Sequence, residues 1–145
     1  MASEWGLTSR QSIEFESQRR GEKHVAGECV AILSGRGIDE VTLMVLAGPA
    51  AATVLSGGAG GVSGYWPRVW AMRGLLYAWD RSATRVVVEG ANDTSWRVRE
   101  MSAKVVAQRR LEDAHDAMTV LLDDDVARVR AAAHRALIRL VEFES

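Results

Sequence analysis

One cysteine in 145 residues, Cys29, excludes an intrachain disulfide and a cysteine-based zinc site. A lone thiol fits a reducing compartment, so a cytoplasmic location is the expectation. Only two lysines accompany sixteen arginines, and these 18 basic residues are offset by 19 acidic ones. A formal net charge of −1 supplies no general field for nucleic acid. Residues 1–65 hold five basic and seven acidic side chains, and residues 66–145 hold thirteen and twelve. The first stretch, MASEWGLTSRQSIEFESQRRG, has no apolar core, and no signal peptide is expected.

Charge is missing altogether from residues 41–67, twenty-seven in a row. About 20 apolar residues would span a bilayer, but Pro49 and the glycines at 48, 57, 58, 60, 61 and 64 interrupt the run. Only residues 41–55 are densely apolar. The expected outcome is a buried helix, a short second helix from Pro49 and a glycine-rich loop, with no membrane insertion. Something must cover residues 41–55, and a second copy of so short a chain could, which makes a homo-oligomer a further expectation.

Several chemical signatures are also missing. The loop GGAGGVSG at Gly57–Gly64 lacks the GK[ST] ending of a P-loop, and Ser63 stands where a GxGxxG register from Gly58 needs its last glycine. His24, His115 and His134 form no HExxH or paired spacing, and no GxSxG elbow occurs. The acidic triplet Asp123, Asp124 and Asp125 has no EF-hand spacing after it and reads as helix capping. Cys29 falls on an apolar helix face, a poor place for a nucleophile. No cofactor or metal is implied.

What is present is helical periodicity. Residues 9–20 form a polar helix that Thr8 or Ser9 caps and Gly21 ends or interrupts. In residues 22–33, Val25, Ala26, Cys29, Val30, Ile32 and Leu33 make a broad apolar face, and SGRG at Ser34–Gly37 stops it. Residues 38–46 form a third helix with Asp39 and Glu40 at its positive end. Further helices are expected at 65–79, 83–90, 93–110 starting near Ser95, 112–122 and 126–143. The valine run 86–88, taken alone, could be a strand.

The last of these is the clearest. Val126, Val129, Ala132, Ala133, Ala136, Leu137 and Leu140 recur at spacings of three and four. A shift of thirty-one matches Val98 to Val129, Arg99 to Arg130, Met101 to Ala132 and Val105 to Ala136. A shift of twenty-nine matches Arg68 to Arg97, Val69 to Val98, Met72 to Met101 and Leu76 to Val105. Each copy is a long helix, a linker and a shorter helix. Periods of 20–50 residues built from helix pairs mark an α-solenoid, since one pair cannot bury both its faces.

The stretch LLDDDVARVRAAAHRALIRL resembles a HEAT repeat of the short bacterial type, an armadillo-like family. The resemblance implies an all-α fold, a short α-α superhelix of about three helix pairs with an irregular helical N-terminal part. It covers residues 65–143, with residues 9–64 as degenerate helices plus the glycine-rich loop of one domain, 1–145. In that family an Asp in the linker and an Arg six residues later bond within and between repeats. Asp93 with Arg99 and Asp124 with Arg130 have that spacing, and the resemblance gives all four a structural role. At the earlier copy Gly64 and Trp70 stand instead, so the ladder should stop there. Arg128, Arg135 and Arg139 are then left as solvent-facing charges.

Trp66, Trp70, Trp79 and Trp96 crowd into thirty-one residues beside Arg68, Arg73 and Arg97. Aromatics with arginine anchor protein interfaces, stack on nucleobases, or fill a core where a repeat meets irregular structure. All three readings stand, and these seven residues form the candidate interface. The function implied by the resemblance is a non-enzymatic protein-interaction or scaffold module with an unidentified protein partner. Its shorter helices, 83–90 and 112–122, would line a shallow concave surface. The alternative is a DNA-binding, DNA-glycosylase-like HEAT protein gripping damaged DNA through Arg97, Arg99, Arg128 and Arg130, against which the neutral charge argues. Some HEAT proteins act as phycobilin-lyase-like chaperones, but no residue here points to a pigment.

Overall fold

Capping and glycine positions set the helix boundaries. A computed structural model describes residues 7–144, with the side chains of 143 and 144 excepted. The expectation about a signal peptide therefore rests in part on residues 1–6, outside the described residues. Nine α-helices and no strand occur among the described residues. The chain divides into two compact units, Met1–Ala83 and Thr84–Ser145.

In the first unit, α1 (Ser9–Arg20) starts with a capping box in which Thr8 and Gln11 satisfy each other's backbone N–H groups. Gly21, at φ 98°, ends α1 and starts α2 (Glu22–Leu33), a conformation that a side chain would strain. α3 (Glu40–Ala47) begins two residues later than the apolar pattern indicates. Asp39 caps it by accepting from the Thr42 N–H at 2.9 Å, leaving Ile38 outside. After Gly48 and Pro49 comes α4 (Ala50–Leu55), and turns then lead to α5 (Trp66–Gly74).

α5 ends five residues before the expected helix 65–79 does. It ends at Gly74, where an added Cβ would lie 2.8 Å from Leu46 Cδ2 and 2.9 Å from Cys29 Sγ. A side chain there would force Leu46 or Cys29, from two other helices, to shift, and glycine is also a weak helix former. The chain then tightens into turns, with Leu75, Leu76 and Tyr77 each bonding three residues back. α5 packs on α2 and α3, and α1 packs on α2 and α3. Ile13, Cys29, Leu43, Leu46, Met72 and Leu75 form the centre of this core.

The second unit is more regular. α6 (Thr84–Gly90) contains Val86–Val88, so the valine run is helical; Val86 and Val87 are buried. α7 (Trp96–Arg109), α8 (His115–Leu121) and α9 (Ala127–Glu144) follow, with a 3-10 turn, Glu112–Ala114, before α8. The principal packing is α7 on α9, with α8 against α9 and α6 against α7. Buried Ser102 donates to the Val87 carbonyl at 2.7 Å and ties α7 to α6. The inward face of α9 is small, with Val129, Ala132, Ala133, Ala136 and Leu140 buried. Leu137 and Val126, on the same apolar stripe, are only half-buried. The expected three helix pairs come out as two long–short alternations followed by α9 as the last described helix.

Candidate functional site

The linker aspartates and their arginines repeat one geometry at a spacing of thirty-one. Asp93 Oδ1 accepts from the Ser95 N–H at 2.8 Å, and Asp124 Oδ1 from the Val126 N–H at 3.0 Å. Arg99 Nη1 donates to the Asp93 carbonyl at 2.8 Å, and Arg130 Nη1 to the Asp124 carbonyl at 2.6 Å. Arg99 also reaches across to Asp124 with two bonds, Nε to Oδ2 at 2.7 Å and Nη2 to Oδ1 at 3.2 Å. This fork holds α7 to the linker that starts α9. Burial works to raise the pKa of the Asp124 carboxyl. The Arg99 bond, the Val126 N–H and the charges of Arg99 and Arg130 outweigh it and hold the pKa below the ordinary value. At the earlier copy the Gly64 carbonyl accepts from Arg68 Nη1 at 3.1 Å, while Trp70 is buried in the first unit.

Of the seven candidate-interface residues, Trp66, Arg68, Trp70, Arg73 and Trp79 belong to the first unit, and Trp96 and Arg97 to the second. The Trp79 backbone N–H donates to Glu22 Oε2 at 2.8 Å. Arg68 borders a groove with Ile32, Ile38 and Pro67. Trp66 and Trp70 stack with ring centres 5.9 Å apart and planes 25° from parallel. Together with Arg73, they line a cavity of about 430 Å³ whose other walls include Val45, Pro49 and Val54.

In the second unit, Arg97 lies 4.5 Å and Arg128 5.4 Å from the centre of the Trp96 ring. Arg128 faces solvent, as expected from the sequence, and its Nε also donates to Glu100 Oε2 at 2.9 Å. Glu100, buried, also has Lys104 Nζ at 3.9 Å. Of the arginines that suggested a grip on DNA, Arg99, Arg128 and Arg130 thus have hydrogen-bond partners within the chain, and Arg97 rests on Trp96.

Sequence reading missed a second concavity, a groove of about 420 Å³ along α7 and α9. Ala107, Ala132 and Ile138 are its apolar lining residues, and Lys104, Arg135 and Arg139 its charged ones. Beyond Ile138 the exposed surface continues over Val141, and Ile138 and Val141 are 44% and 64% exposed. Arg135 has no ion-pair partner among the described residues, and Arg139 has only Glu142 at 4.0 Å. Ile138 and Val141, three apart and off the repeated stripe, were the available sign.

The remaining candidates are dispersed. His24, His115 and His134 are exposed, as are Asp123 and Asp125, and the described residues contain no cluster suited to a metal ion. Cys29 is fully buried, and burial, with Glu28 nearby, pushes its thiol up to about 12, so it stays protonated at neutral pH. No helix among the described residues is long and apolar enough to cross a membrane. Residues 41–55 place Leu43, Leu46, Ala51 and Val54 in the core and leave Val41 and Met44 exposed.

A family model of HEAT repeats matches residues 65–138, about half of the chain. No curated protein and no solved structure gives a significant match.

Proposed function

We propose that this chain, which belongs to the HEAT-repeat family, uses its regular half as a non-enzymatic protein-interaction module. HEAT repeats generally mediate protein–protein interaction or scaffolding, and the groove along α7 and α9 is the docking surface in this reading. The observation that carries it is the composition of that groove, a lining that joins Ala107, Ala132 and Ile138 with Lys104, Arg135 and Arg139. Small residues let a partner's backbone come close, while cations contributed by both helices, Lys104 from α7 and Arg135 and Arg139 from α9, select acidic side chains. The occupant that fits is an acidic amphipathic helix of another protein, its apolar anchors on the apolar lining residues. The short helix α8 and the 3-10 turn before it fit this partner less well, because they expose Glu112, Asp113 and Asp116, which would repel an acidic helix.

Fluorescence anisotropy with two designed helices tests this, one carrying leucines at heptad positions flanked by glutamates and one flanked by lysines. The glutamate helix should bind, and Ile138→Glu or Arg135→Glu should weaken it about tenfold, the worth of one well-made contact. Equal binding of both helices, or of neither, contradicts the reading. Tighter, salt-dependent binding of duplex DNA would contradict it in favour of the DNA-binding alternative.

A further inference from the structure

Arg73 is a cation with no ion-pair partner among the described residues. It stands on α5 with its Nη2 donating to the Leu46 carbonyl at 2.8 Å. Its Nε is buried and has no acceptor, and no carboxylate among the described residues lies within ion-pair distance. A guanidinium has five N–H donors, and one carbonyl leaves most of them unused. Withdrawing such a charge from water without a counter-ion is unfavourable. Burial accordingly lowers its pKa, opposed only by Tyr77.

The surroundings of that cation are apolar. The cavity it lines has a volume of about 430 Å³, within the range that small molecules occupy. Stacked Trp66 and Trp70 form one wall, and Val45, Pro49 and Val54 contribute to the others. Few polar side chains join Arg73. Ser12 already donates to the Val45 carbonyl at 2.8 Å, and Ser9 and Thr53 lie on the lining. One guanidinium and two hydroxyls suit a singly charged, planar head, whereas a phosphate would demand more donors.

We propose that this cavity is a binding site for a small carboxylate carried on a planar aromatic body, with the carboxylate on Arg73 and the ring against Trp66 and Trp70. The site is built entirely from the first unit and is independent of the groove on α7 and α9. It requires no chemical step, only binding.

Isothermal titration and tryptophan fluorescence with 2-naphthoate, 2-naphthamide and octanoate test it on the whole chain. The naphthoate should bind at least about tenfold more tightly than the amide, the factor expected for a charge-assisted hydrogen bond. It should also bind more tightly than octanoate, which cannot stack. Arg73→Gln should remove the preference for acid over amide while leaving weak amide binding. As a check that does not touch the cation, Thr53→Trp should fill the cavity and abolish binding, with the helical circular dichroism retained. Failure of naphthoate to bind, acid and amide binding equally, tighter binding of octanoate, or an unchanged preference in Arg73→Gln would each overturn the proposal.

Discussion

Arg99 and Arg73 are both partly withdrawn from water, one in each unit, and the chain treats them in opposite ways. Arg99, with an 18% exposed side chain, meets an 8% exposed Asp124 in a two-pronged bond and takes the Asp93 carbonyl as well. Arg73 has one carbonyl and an apolar cavity. The regular unit carries its own counter-ion because the repeat supplies an aspartate in every linker. The irregular unit has no such period, and its cation faces a cavity. A structural arginine is thus recognised by a partner at fixed sequence spacing, and a candidate binding arginine by the absence of one.

The largest expected effect lies on the ladder. Asp124→Ala strands Arg99 and removes the acceptor for the Val126 N–H, and should cost about 3–5 kcal/mol in urea unfolding. The same pair should respond to acid. Asp124 titrates below its ordinary value of 3.8 in the folded chain, so its contribution is present above that value. It is lost as pH falls through the lower folded pKa. Unfolding midpoints measured across this range should fall less steeply for Asp124→Asn than for the native chain.

Next is the close approach in the other unit. Gly74→Ala would push a methyl against fully buried Leu46 and Cys29 and should cost about 1–3 kcal/mol despite alanine's better helix propensity. Thr8→Ala, which opens the capping box of α1, should cost about 1 kcal/mol by thermal denaturation. The smallest effect is the most telling. Arg73→Met replaces an uncompensated cation by an apolar chain of similar length and should change stability by less than about 1 kcal/mol in either direction. Arg99→Met, which leaves a buried carboxylate alone, should cost several times more. Equal costs for the two would erase the contrast between the units.

The regular unit was legible because its interactions are periodic. The matches Val98 to Val129 and Arg99 to Arg130 mark positions that are respectively buried and bonded to a linker carbonyl in both copies. The repeat begins at residue 65 in the sequence and in the HEAT-repeat match, although α5 packs within the first unit, on α2 and α3. Gly64 and Trp70 stand where the ladder needs an aspartate and an arginine. The end of α5 was not legible, because the reason for Gly74 is the approach of Leu46 and Cys29 from other helices. The tryptophan–arginine cluster was visible as a composition but not as a place. Trp66, Trp70 and Arg73 share one cavity, while Trp96 and Arg97 belong to the other unit. Arg135 and Arg139 looked like ordinary surface charges because nothing local sets them beside Lys104, which lies on a different helix.

In the proposed function the regular unit receives an acidic helix along α7 and α9. Hydrogen–deuterium exchange of the whole chain with and without the glutamate-flanked helix tests it most directly. Added protection should fall on residues 104–108 and 132–139. Protection confined to α6 and α8, or none at a concentration that saturates binding, would contradict it.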